Sequence, residues 1–175
     1  MVMDKKIFDV LAAHPFFREM PVAELHAIAE CAREEVFEDG AMLMRQGEQA
    51  EHFFIIQHGM VTLELHVPGR EPLVVETLGK DEVTGWSWLI PPYEAQFDAR
   101  TVEMVRALSI EGACLREKMA RDPMLGYALC QRILPVIADR LYAARVQLMD
   151  IYGHPLDYAE APKAKDKNKG KKGKR

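Results

Sequence analysis

Apolar positions along the chain change their period twice. In residues 4–13, Ile7, Val10 and Leu11 recur at helical spacing and His14-Pro15 stops the pattern, which predicts a short entry helix. A second helix is predicted from Pro21, at a first-turn position, with Val22, Leu25, Ile28 and Ala29 recurring at three and four and Glu24 near the positive helix start. Phe16 and Phe17, between the two, read as core plugs.

From about Glu35 the period becomes two. Turn residues then recur every 8 to 12 positions: Asp39-Gly40, Gln46-Gly47, His58-Gly59, Pro68-Gly69, Leu78-Gly79 and Gly85. The clearest strand is Met60 to Val67, where Val61, Leu63, Leu65 and Val67 alternate with Thr62, Glu64 and His66, giving one buried face and one wet face. A hairpin at Pro68-Gly69-Arg70-Glu71 returns the chain onto Pro72 to Thr77, and further strand-like runs follow at Phe97 to Val102 and Met104 to Ile110. About eight short strands in this stretch predict a jelly roll.

Helical spacing returns at Glu111. Over Pro123 to Tyr152, Ile133, Ile137, Leu141, Ala144, Leu148 and Ile151 form one stripe, with Arg132, Asp139, Arg140, Arg145 and Asp150 largely off it. Pro135 predicts a kink or break in this helix, and Gly153 with His154-Pro155 predicts its end. The fold class expected is therefore α+β: an eight-stranded antiparallel β-roll (a jelly roll, or cupin-like double-stranded β-helix) flanked by N-terminal helices and a long C-terminal helix. The domain is expected over residues 4–152, followed by a Lys-rich disordered tail over 153–175.

Composition modifies this picture in two respects. The 175 residues, 49% apolar, suffice for one sizeable core, and the formal net charge of −4 hides an asymmetry. Residues 163–175 carry seven Lys, one Arg and one Asp, leaving 15 basic against 26 acidic residues in the first 162. An acidic body thus bears a basic tail, which reads as a solvated tail or as a nonspecific contact to nucleic acid or anionic lipid. No apolar run approaches the ~20 residues of a spanning helix and no signal-peptide core precedes the fold, so a cytoplasmic location without a membrane span is expected. Cys31, Cys114 and Cys130 are odd in number, widely spaced and without a CxxC pair, and read as small buried thiols rather than a disulfide or a zinc site.

Particular residues then narrow the class. Pro15-Phe16-Phe17, Pro21 with Glu24-Leu25, Phe37-Glu38-Asp39-Gly40, Arg45-Gln46-Gly47-Glu48, the run from Phe54 to Val61, Leu78-Gly79 and Gly85 stand in the order and spacing of one domain type. Over roughly residues 8–150 the chain resembles the cyclic nucleotide-binding domain of the catabolite-activator and kinase regulatory-subunit superfamily. The resemblance implies a phosphate-binding cassette after the sixth strand, in which a Gly-Glu pair opens a short helix. Helix-start N–H groups face the cyclic phosphate, the Glu takes the ribose hydroxyl, and an Arg about ten residues on pairs with the phosphate.

Here Gly85 matches the glycine, Trp86 stands at the Glu position, and Ala95 or Gln96 stands at the Arg position. The cassette resembles a GWSW…PP…FDAR variant of the domain found in bacterial stand-alone proteins. Tight binding of cyclic AMP or cyclic GMP through the family's contacts is therefore not expected, and the ligand, if any, is a cyclic nucleotide or another small anion. The candidate ligand-binding residues are Gly85, Trp86, Ser87, Trp88, Gln96 and Arg100. Trp86 can stack on a flat ligand or fill the pocket, Ser87 can donate to an anion or cap the turn, and Arg100 can replace the missing cation or pair with Asp98 or Glu103.

Enzymatic readings find no support. The six histidines include no HxH pair of the cupin type, Ser87 and Ser109 lie in no GxSxG elbow, and the cysteines have no adjacent activating group, so neither metal nor catalytic residues are expected. After Gly153 only 22 residues remain, fewer than a helix-turn-helix needs, so specific DNA binding is not expected. The stripe on the last helix predicts a homodimer through that helix. The function expected is a non-enzymatic sensor or regulatory module for signal transduction. The alternatives are a scaffold domain plugged by Trp86 and a binder of some other small molecule or anion.

Overall fold

The computed structural model describes residues 5–66 and 69–151. Three helical pieces open the chain: α1 (Lys5–Ala13), a 3-10 turn at Pro15–Phe17, and α2 (Val22–Ala29). His14 stops α1 as its sequence predicts and caps the turn, its side chain accepting from the Phe16 N–H. Eight strands follow: β1 (Ala32–Phe37), β2 (Met42–Met44), β3 (His52–His58), β4 (Val61–Leu65), β5 (Leu73–Leu78), β6 (Val83–Thr84), β7 (Asp98–Thr101) and β8 (Val105–Glu111). Then come α3 (Gly112–Arg121) and α4 (Pro123–Ile151).

The strands form two four-stranded antiparallel sheets, ordered β1-β8-β3-β6 and β2-β7-β4-β5. Their inner faces close over a core of Ile56, Val61, Leu63, Leu78, Ala99 and Ala107. The outer face of the first sheet carries a second core, where Phe53, Ile55, Leu108 and Ile110 meet Leu11, Phe17, Leu25 and Ile28 of the N-terminal helices and Leu115 of α3. Because β3 is buried on both faces, its Phe53-Phe54-Ile55-Ile56 run is apolar throughout rather than alternating.

On β4 the predicted wet face is closed. Thr62 and Glu64 are buried, because Thr62 Oγ1 donates to Glu64 Oε1 at 2.8 Å and the Arg100 guanidinium lies beside the same carboxylate. Gly59 joins β3 to β4 at φ 88°, and a Cβ there would stand 2.5 Å from the Met104 carbonyl oxygen, so the turn admits only glycine.

The cysteines correct the sequence reading. Cys31 and Cys114 form a disulfide with Cα atoms 5.7 Å apart, and Cys130 is free. Their separation of 83 residues conceals the proximity. Cys31 directly precedes β1, Cys114 lies three residues beyond β8, and the antiparallel register Ala32↔Ile110 brings those two ends together.

The chain divides into two units, Met1–Ile137 and Ala138–Arg175. In the first, α4 passes through Pro135 without ending, so the predicted break does not occur. In the second, α4 exposes Leu141, Tyr142, Leu148 and Met149. The expected helix end at Gly153 and the Lys-rich tail lie outside the described residues. Among the described residues no helix is long and apolar enough to cross a membrane, and no cluster of three His, Cys, Asp or Glu is placed to hold a metal.

Candidate functional site

The segment after β6 is held at both ends. Val83 and Thr84 pair with Ile55 and Phe54 of β3, and Gly85 then turns the chain at φ 85°. A Cβ at Gly85 would stand 2.5 Å from the His52 carbonyl oxygen, so glycine is needed both for the left-handed turn and for the close approach to β3. Trp86–Leu89 form one 3-10 turn, closed by the Ile90 N–H donating to Ser87 O at 3.2 Å. Past Pro91-Pro92, the strand-like return runs beside the loop after β2. The Ala50 N–H donates to Tyr93 O at 2.7 Å, the Ala95 N–H to Glu48 O at 2.9 Å and the Gly47 N–H to Ala95 O at 2.9 Å. Asp98 completes the loop's hold by accepting from the Gln46 N–H at 2.7 Å.

The two tryptophans differ in environment. Trp88 is fully enclosed among the residues of the helical-side core, while Trp86 is half-buried against the same cluster. Ser87 is buried between them. The filling side chain in this segment is therefore Trp88 more than Trp86.

The remaining candidates lie apart. Ala95 is buried, and Gln96 is exposed with its amide donating to Glu94 O at 3.2 Å. Phe97 packs against the core inside the roll. Arg100 registers opposite Thr62 and Met42, on the face of β7 away from the core residue Ala99, and its Nε lies 3.3 Å from Glu64 Oε2. Its ion-pair partner is thus Glu64 and neither Asp98 nor Glu103. Gly85, Trp86, Ser87 and Trp88 form one constellation, whereas Gln96 and Arg100 stand outside it.

One residue of this region carried no sequence signal. Arg116, one turn into α3, donates from Nη1 to the Trp88 carbonyl oxygen at 2.7 Å and sets its guanidinium carbon 4.4 Å from the centroid of the Tyr93 ring. It joins α3 to the turn that follows Gly85 and to the return segment beyond Pro91-Pro92. Beside it opens a cleft of about 430 Å³, lined by Arg33, Glu51, His52, Glu111 and Arg116 among others. Arg33 and His52 meet there at 3.2 Å, and the Gly112 N–H closes one wall by donating to Glu51 O at 2.7 Å. The lining mixes guanidinium, imidazole and carboxylate groups, which suits a small polar or zwitterionic guest better than an apolar one.

A helical layer, a two-sheet roll with a glycine-opened turn after its sixth strand, and closing helices define a regulatory, ligand-binding fold. A sequence profile for the cyclic nucleotide-binding domain matches residues 34–122, and the chain belongs to that family. The CRP-like cAMP-activated global transcriptional regulator of Mycobacterium tuberculosis is 26% identical over 144 residues, which cover 82% of this chain and 62% of the regulator. The HTH-type transcriptional regulator Cmr of the same organism is 25% identical over 133 residues, covering 76% of this chain and 52% of the regulator. The chain therefore spans between about half and three-fifths of the length of these relatives. The solved structure of a Geobacter metallireducens GS-15 protein is 25% identical with a TM-score of 0.68, covering 81% of this chain and 99% of that one.

Proposed function

We propose that this chain is a non-enzymatic regulatory module whose cassette does not take cyclic AMP or cyclic GMP tightly, and whose Arg116 relays the cassette's state to α3. The carrying observation is that Trp86 follows Gly85 directly and no arginine stands between Gly85 and Arg100, whose guanidinium already faces Glu64. A cyclic phosphate placed at this turn would meet backbone N–H groups but neither the carboxylate for its ribose nor the guanidinium for its charge. Charge-assisted hydrogen bonds contribute about 1.5–3 kcal/mol each, so losing a bidentate contact and the ribose carboxylate removes several decades of affinity. Any guest that shifts Trp88 or Tyr93 also shifts the two groups that Arg116 holds.

Calorimetric titration of the full chain with cyclic AMP and cyclic GMP tests this reading. Dissociation constants weaker than about 0.1 mM are expected for both, and micromolar binding of either overturns it. A closed scaffold is the second reading, favoured by the complete burial of Trp88. It predicts that Trp86→Ala also stays inert to nucleotides and small anions, whereas a response in that variant favours a sensor with another ligand.

The assembly proposed is a homodimer through the second half of α4, on the strength of the exposed Leu141, Tyr142, Leu148 and Met149. Light scattering should give twice the mass of one chain, and a single-chain mass removes the dimer.

A further inference from the structure

We propose that Cys31 and Cys114 form a reversible thiol-oxidation site, exchanging with low-molecular-weight thiols and disulfides, whose state sets how firmly α3 is held beside the cassette. The inference stands apart from the nucleotide question, because it rests on where the disulfide lies. Cys31 closes the junction between α2 and β1, and Cys114 sits in the first turn of α3. Three ties cross this gap at successive levels of α3. The Glu111 N–H donates to Cys31 O at 2.9 Å, the disulfide follows, and one turn further the Lys118 ammonium pairs with Glu30.

The three ties are unequal. The Glu30–Lys118 pair involves a half-exposed carboxylate, and exposed pairs contribute little to stability. The main-chain hydrogen bond lies at the very start of the helix. The covalent bond is therefore the strongest of the three ties, and it acts beside the apolar packing of Leu115 from the same turn. That turn carries Gly112 against Trp88 and Ala113 into the wall of the 430 Å³ cleft, and it leads directly into Arg116, which holds Trp88 O and Tyr93.

The chemistry is asymmetric in a way that suits exchange. Cys31 is buried and Cys114 is only partly so, which leaves Cys114 as the sulfur an external thiolate reaches. Its place in the first turn of α3 puts helix-start N–H groups near the thiolate that forms there. In reduction, an external thiolate attacks Cys114 Sγ, the Cys31–Cys114 bond breaks, and Cys31 leaves as a thiolate that takes a proton. A second external thiolate attacks the mixed disulfide on its outer sulfur, releasing Cys114 as the thiolate and one molecule of small disulfide. Two electrons pass from two external thiols to the protein disulfide, and oxidation runs the same steps backwards.

The test is a redox titration of the folded full chain in buffers of reduced and oxidised glutathione, read by alkylation and mass, with hydrogen exchange followed at each state. Cys130 lies outside the pair and serves as the internal alkylation control. The pair is expected to convert from disulfide to dithiol within the range of these buffers, without denaturant, and amides in residues 115–121 should then exchange roughly tenfold faster while β3 and β8 keep their protection. Cys114→Ser should exchange like the reduced chain in every buffer. Persistence of the disulfide in millimolar reduced glutathione overturns the proposal. So does reduction that leaves α3 exchange unchanged, or that accelerates β3 and β8 as much as α3, since the bond would then be only a general brace.

Discussion

Gly112 opens α3 directly against Trp88: a Cβ at position 112 would stand 2.6 Å from the Trp88 Cβ and 3.1 Å from the Glu51 carbonyl oxygen. Trp88 is fully enclosed and cannot swing aside, and the Gly112 N–H is committed to that same Glu51 oxygen. Even one methyl group must therefore push the helix off the cassette. Gly112→Ala is expected to cost about 1–3 kcal/mol by overpacking, seen as a lower urea midpoint at unchanged slope. An unchanged midpoint would mean that α3 gives way freely at this contact.

Much of this architecture was legible because the determining signals are local. The alternation predicted over Met60 to Val67 marks β4, observed over Val61–Leu65, to within two residues at each end, and Gly85 marks the turn after the sixth strand. What stayed hidden depends on groups far apart in sequence. Cys31 and Cys114 meet only because β1 and β8 pair, and their spacing says nothing of that register. Arg116 lies in an ordinary polar helix, and its role follows from α3 docking on a turn that begins 30 residues earlier. Glu64 reads as a solvent-facing strand residue until β7 pairs beside β4 and sets Arg100 on the same face as Thr62 and Glu64. Two tryptophans spaced by two cannot be ranked for burial from sequence; the tight turn of a 3-10 helix encloses Trp88 and leaves Trp86 half-covered.

Arg116 offers a direct probe of the link between cassette and α3. Replacing it with alanine removes a hydrogen bond to Trp88 O and a cation over the Tyr93 ring. Together these are expected to cost about 1–3 kcal/mol. Lysine keeps the charge but lacks the planar fork that serves both partners at once, so Arg116→Lys should recover less than half of the loss. Thermal melts of the three proteins decide the matter. Full recovery by lysine would reduce the contact to charge alone.

His14 should make stability depend on pH near neutrality. It is buried, with Nδ1 accepting from the Phe16 N–H and Nε2 without a hydrogen-bond partner among the described residues. Burial lowers its pKa from the ordinary 6.5, and Asp81, whose carboxylate lies 3.9 Å away, offsets only part of that effect. The folded chain therefore keeps His14 neutral at pH values where the unfolded chain protonates it. The unfolded state binds more protons in that window, so stability contributed here is fully present above about 6.5, falls as the pH drops through the unfolded value, and stops falling below the folded one. Melting temperatures from pH 7.5 to 5.5 should decline, and His14→Asn, whose side-chain oxygen can still accept from Phe16 N–H, should flatten that part of the slope. A decline of equal steepness in His14→Asn would assign the pH dependence to other groups.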